Sequence, residues 1–167
     1  MEKEKVYGYG FFLYDILNKM IPVCEKKEDN DRVKKYTEIR DELKRNLNTN
    51  GWDGRWFKRA IMDSGEELGS MASQECKIDS ISQSWAVISG AGDNDKKFIS
   101  MQELENNLVD RENKLIKLFW PAFSKWDINP GYIKAYPEGI RENGGQYTHE
   151  GCCYHHFLAK LLEIKPK

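Results

Sequence analysis

No apolar run in this chain approaches the length of a membrane span, and the opening MEKEKVYGYG is too charged and too short to be expected as a secretory signal. Neither sign of charge dominates. The 26 Lys and Arg against 27 Asp and Glu leave a net charge of −1, which gives no electrostatic reason to expect nucleic acid or an acidic bilayer as partner. Cysteine is scarce: Cys24, Cys76, Cys152 and Cys153 are irregularly spaced and two are adjacent. That pattern suits reduced thiols in a cytoplasmic protein better than a disulfide framework. Cys152, Cys153, His155 and His156 lie close together, but no second ligand pair with zinc spacing exists, so no metal and no cofactor are expected. Internal repeats and low-complexity linkers are also missing. At 167 residues one domain is the prior, long enough to bury a core.

Aromatic side chains are plentiful, with five Trp and eight Tyr. They fit carbohydrate or flat-ligand binding, and equally a well-filled core. Periodicity organises the rest. Leu13, Ile16, Leu17, Met20, Ile21 and Cys24 fall on one helical face, which predicts a helix from residue 9 to about 25, kinked or ended by Pro22. Val33, Tyr36, Ile39, Leu43 and Leu47 predict a second, capped by Asp29 or Asn30 after a solvated charged turn. NTNGWDGRW reads as turn, WFKRAIM as a short strand and MDSGEELGS as turn. SWAVISG reads as a two-turn helix ending at Gly90, with Trp85 in the core. Phe98, Met101, Leu104 and Leu108 mark a helix capped near Asp95, and LIKLFWPAF a short extended segment. Tyr154, Phe157, Leu158, Leu161 and Leu162 predict a last helix capped by Thr148. The chain is expected to be mainly α, with long aromatic-rich loops.

One of those loops stands out. PGYIKAYPEGIRENGGQYTH, residues 130–149, carries two prolines, four glycines and four aromatic or imidazole rings beside an Arg-Glu pair. Pro130-Gly131 and Gly144-Gly145 are turn chemistry, and a loop of this length in a compact domain is more often functional than idle.

Four stretches, WDGRWFKRAIMDSGEELGS, ECKIDSISQSWAVISGAGD, LVDRENKLIKLFWPAF and NPGYIKAYPEGIRENGGQYTH, together resemble the glycoside phosphorylases of glycoside hydrolase family 94. The likeness runs in the family's order from about Tyr9 to His149. Its wording is most similar to the C-terminal phosphorylase-like region of cyclic β-1,2-glucan synthases and to β-1,2-oligoglucan phosphorylases. The resemblance implies part, roughly half, of an (α/α)6 barrel with a few short strands, spanning residues 1–167 as a single incomplete domain. It also implies inverting phosphorolysis, in which orthophosphate as co-substrate attacks the anomeric carbon and sugar 1-phosphate leaves. An inverting hydrolase needs an acid and a base. Phosphate is already an anionic nucleophile, so a phosphorylase needs the acid plus groups that hold phosphate in line.

By that resemblance the loop 130–149 binds substrate and phosphate. Arg141 and Glu142 would hold hydroxyls of the donor sugar, and His149 would bind phosphate. Gly144 and Gly145 would let the backbone fold tightly enough to aim both groups into one pocket. Gln83 is expected to line the cleft, with Trp52, Asp53 and Trp56 on its rim, where rings suit sugar faces.

The family's general acid, an Asp in a GDWND-like motif, has no counterpart in these residues, and after His149 the text departs from the family pattern. A truncated or frameshifted piece is therefore expected, with no catalytic residue of its own. Its partners would be β-glucan oligosaccharide and phosphate, and either the missing half of the barrel or a second copy. The alternative is a non-catalytic sugar-binding or interaction module derived from the same barrel.

Overall fold

The computed structural model describes residues 5–124 and 129–146. Helix α1 (Tyr7–Lys26) is followed after a three-residue turn by α2 (Asn30–Thr49), so the two form a hairpin. Asp29 caps α2, its carboxylate accepting from the Arg32 N–H at 3.1 Å. Pro22 lies on the exposed side of α1 and does not end it; the helix continues to Lys26. Gly10 brings the hairpin close, since a Cβ there would stand 3.0 Å from a Leu47 methyl.

Beyond the hairpin the chain alternates short strands with helices. Strands β1 (Lys5–Val6), β2 (Ala60–Ile61) and β3 (Glu67–Leu68) form a small antiparallel sheet. Strand β4 (Ile78–Asp79) runs into α3 (Ser80–Ile88), which Asp79 caps through the Ser82 N–H. Helix α4 (Asn94–Leu108) begins after its cap residue Asp93, two residues before the expected position, leaving Asp95 in the first turn to favour the helix dipole. Strands β5 (Val109–Asp110) and β6 (Leu115–Ile116) make a tight hairpin. Strand β7 (Phe119–Trp120) pairs antiparallel with β4, Ile78 opposite Trp120 and Asp79 opposite Phe119. A cis peptide joins Trp120 to Pro121, and a 3-10 turn covers Gly131–Ala135.

Three apolar clusters hold these pieces. The first joins α1, α2 and α3 through Phe11, Tyr14, Leu47, Phe57 and Ala86. The second packs α4 against Trp56, Ile78 and Val87. The third sits under β7, with Ala60, Leu68, Cys76, Leu118, Phe119 and Phe123. The protein is thus mainly α, with four helices among the described residues, short strands between them and no closed barrel. Helix α1 carries a second apolar stripe, Tyr9, Leu13, Ile16, Met20 and Val23, that faces outward.

Candidate functional site

The residues Ile140–Gly145 fold into a compact knot. Gly139 donates to the Asn143 carbonyl at 2.9 Å, Asn143 to Ile140 at 3.0 Å and Gly145 to Arg141 at 3.1 Å. Gly144 has φ +77°, and a Cβ there would stand 3.0 Å from the Phe119 carbonyl oxygen. At Gly145 a Cβ would come within 2.8 Å of the Arg141 nitrogen and the Gly139 carbonyl oxygen. Both positions therefore admit only glycine without backbone movement, one for its dihedral and both for space.

That knot presents the Arg-Glu pair. Arg141 is held at φ +48°, a left-handed conformation that costs a non-glycine residue of order 1–3 kcal/mol. Its Nε lies 3.5 Å from Glu142 Oε2, and its guanidinium stands over the Tyr136 ring at 5.1 Å. The Arg141 side chain is exposed and that of Glu142 largely covered. A carboxylate held beside a cation in this way can accept hydrogen bonds from neighbouring hydroxyls while the guanidinium donates. His149, with Thr148 and the expected last helix, lies outside the described residues, as do Cys152, Cys153, His155 and His156.

Anchorage of the loop comes from Asn143, which is wholly buried. Its Oδ1 accepts from the Phe123 N–H at 2.8 Å, and its Nδ2 donates to the carbonyls of Phe123 at 3.0 Å and Tyr136 at 2.9 Å. Leu118 adds a backbone bond to the Gly145 carbonyl at 2.8 Å.

The other expected site residues sit on a different loop. Asp53 accepts the backbone N–H groups of Arg55 and Trp56 through Oδ1, and that of Met71 through Oδ2 at 2.7 Å. It ties the turn 51–57 to the segment before β4. Trp56 is buried, and its indole N–H is shared between the carbonyls of Gly69 at 3.0 Å and Lys77 at 2.9 Å. Trp52 is half-buried, edge-on to Phe57 with ring centroids 4.9 Å apart. Trp85 is half-buried against the first cluster. Gln83 has no exposed surface; its amide is taken up by Phe57 and by the Asp79 carbonyl, so it braces the turn rather than facing an opening. The structure brings Arg141 and Glu142 together on one loop and Trp52 and Asp53 on another. The first is fastened to the β7 side of the β4–β7 pair and the second to the β4 side.

Between them lies a pair that the sequence did not advertise. Arg59 makes an ion pair with the fully buried Asp79 and lies over the Phe119 ring at 5.8 Å. Gly69 permits this, because a Cβ there would stand 2.5 Å from the Arg59 nitrogen. Nearby, burial pushes the Cys76 thiol up to about 12, against the attraction of Arg59, so it stays protonated. Burial also raises the Tyr7 phenol, opposed by Lys58. Burial would raise Glu67 too, but hydrogen bonds from Lys58 and Ser70 win and hold its carboxyl below the usual range. No group of three or more His, Cys, Asp or Glu among the described residues is placed to hold a metal ion. No helix among them is long and apolar enough to cross a membrane.

Comparison with known proteins gives these features a context. The family model of the Glycosyl hydrolase 94 superfamily, catalytic domain, matches residues 2–161. The cyclic beta-(1,2)-glucan synthase NdvB of Rhizobium meliloti (strain 1021) is 42% identical over 140 residues, 84% of this chain and 5% of that protein. Solabiose phosphorylase of Paenibacillus borealis is 32% identical over 140 residues, covering 83% of this chain and 18% of its own length. N,N'-diacetylchitobiose phosphorylase of Vibrio proteolyticus is 24% identical over 142 residues, with 84% and 18% covered. The chain thus spans from 5% to 18% of the length of these relatives. A profile match along nearly the whole chain, through motifs that build the glycine knot and its anchors, makes it a member of the glycosyl hydrolase 94 superfamily, within the catalytic domain.

Proposed function

We propose that this chain is the donor-sugar and phosphate corner of an inverting glycoside phosphorylase or cyclic β-1,2-glucan synthase, acting on β-linked glucosides with orthophosphate. In that reaction a phosphate oxygen bonds to the anomeric carbon as the glycosidic C–O bond breaks, giving sugar 1-phosphate. The departing oxygen takes its proton from a general acid. Arg141 and Glu142 hold sugar hydroxyls, His149 holds phosphate, and Trp52 and Asp53 belong to the sugar-facing rim. Gln83 supports that rim from below. The observation that carries this reading is the Arg141–Glu142 pair, presented at a strained dihedral beside Gly144 and Gly145, where a Cβ would meet backbone atoms at 3.0 and 2.8 Å. The names of the relatives point the same way.

The proton donor is a separate matter. No GDWND-like sequence occurs among the 167 residues, so the reading assigns the acid to another part of an (α/α)6 barrel. A cytoplasmic setting, with its thiols reduced, belongs to the same proposal; Cys24 and Cys76 are free and buried. The test is a complete barrel, made by joining this chain to an acid-bearing family 94 half. Glu142→Gln should abolish release of sugar 1-phosphate. His149→Ala should raise the phosphate requirement far more than the sugar requirement. Unchanged phosphate dependence would remove His149 from the site.

A further inference from the structure

We propose that Asn143 is the positioning residue of the site, fixing the Arg141–Glu142 pair from both of its ends through one buried amide. The inference rests on reading that pair as the sugar-binding groups. Asn143 is bonded in sequence to Glu142, so locking its side chain to Phe123 immobilises the peptide that carries the carboxylate. The same Nδ2 that reaches Phe123 also donates to the carbonyl of Tyr136, at 2.9 Å. Tyr136 is the residue whose ring lies under the Arg141 guanidinium at 5.1 Å. One amide therefore sets the height of the carboxylate and the platform of the guanidinium together.

The chemistry is specific to asparagine. Its oxygen meets one N–H and its two amide protons meet two carbonyls, so donors and acceptors match one for one. An isosteric carboxylate would keep the bond from Phe123 N–H but turn its second oxygen toward two carbonyl oxygens.

The experiment uses the full chain and NMR. Arg141 protons lying over Tyr136 carry an upfield ring-current shift, and Tyr136→Leu gives their unstacked value. Asn143→Asp should bring the Arg141 shifts to that unstacked value while the α3 resonances of Ala86 and Val87 remain. Asn143→Ser, which introduces no buried charge, should do the same if the aspartate variant fails to fold. A folded variant that keeps the wild-type Arg141 shifts overturns the proposal. Binding of sophorose, the β-1,2-linked glucose disaccharide, separates this inference from the one beneath it. Glu142→Gln and both Asn143 variants should each weaken it at least about tenfold. Weakening by Glu142→Gln alone overturns the positioning role. No weakening by Glu142→Gln, or no binding to the wild-type chain, overturns the sugar-site reading and takes this inference with it.

Discussion

Gln83 holds both backbone polar groups of Phe57: Oε1 accepts from the Phe57 N–H at 2.8 Å and Nε2 donates to the Phe57 carbonyl at 2.8 Å. A second proton of Nε2 goes to the Asp79 carbonyl at 2.9 Å. Nothing in this arrangement faces solvent. Replacing Gln83 by Leu strands a buried donor and two buried acceptors, each costing about 1–3 kcal/mol. With partial relaxation the expected loss is about 2–5 kcal/mol, measured as a fall in the urea midpoint. An unchanged midpoint would mean that the amide does not brace the turn.

Catalysis by the isolated chain is expected to be undetectable. General-acid assistance typically contributes ~10²–10⁴-fold, and these residues contain no acid motif of the family kind. Incubation with phosphate and β-1,2-glucooligosaccharides, cellobiose or chitobiose should release no sugar 1-phosphate above a buffer blank. Release would identify another carboxylate of this chain as the proton donor.

Gly144→Val should damage the loop without touching a ligand. The valine meets a φ of +77° and a Cβ position 3.0 Å from the Phe119 carbonyl. The expected cost is about 2–4 kcal/mol from strain and overpacking together, with loss of sophorose binding in whatever fraction stays folded. Calorimetric melting and binding report the two effects separately.

The pH dependence follows from two groups of opposite sign. Glu67 has its folded pKa below the unfolded one, so its contribution is present above the ordinary glutamate range and disappears as pH falls through the folded value. Lys58→Met should flatten that acid limb. Cys76 has its folded pKa raised to about 12, so the unfolded thiol ionises first and stability falls as pH climbs past about 9. Cys76→Ala should shallow the alkaline limb, leaving the part due to Tyr7. Urea midpoints between pH 3 and 11 would show both.

The outward stripe of α1 predicts self-association. Leu13, Ile16, Met20 and Val23 form an apolar strip opposite the face buried on α2, and such surface is normally covered. Sedimentation should show mass above the monomer at micromolar concentration, reduced by Ile16→Lys with Met20→Lys. A monodisperse monomer unfolding cooperatively at high temperature would favour an independent module.

The sequence disclosed the long helices because their apolar residues recur at helical spacing. The outline of α1, α2 and α4 follows from Ile21, Leu47 and Leu104. It hid α3's first turn, since Ser80, Ser82 and Ser84 are polar yet buried. Two-residue strands such as β4 and β7 leave no alternation to read; their partners lie about forty residues away. The site divided in the same way. Arg141, Glu142 and the glycines were legible as a motif, and the structure joins them in one knot. Gln83 read as a cleft residue because a polar side chain in an apolar run has two explanations, and only its buried partners choose between them. Asn143 stood inside the motif, but bonds from a side chain to distant backbone leave no trace in spacing.

Those amides have a consequence for how the protein could change. Gln83 and Asn143 grip only main-chain atoms of residues 57, 79, 123 and 136, so their hold is blind to the side chains those residues carry. Exposed positions on the tethered loops, such as Tyr132 and Ile140, are therefore free to vary without loosening the attachment. Loops fastened in this manner behave as interchangeable cassettes. Recombination between family members could exchange what a loop recognises while the frame that aims it stays put.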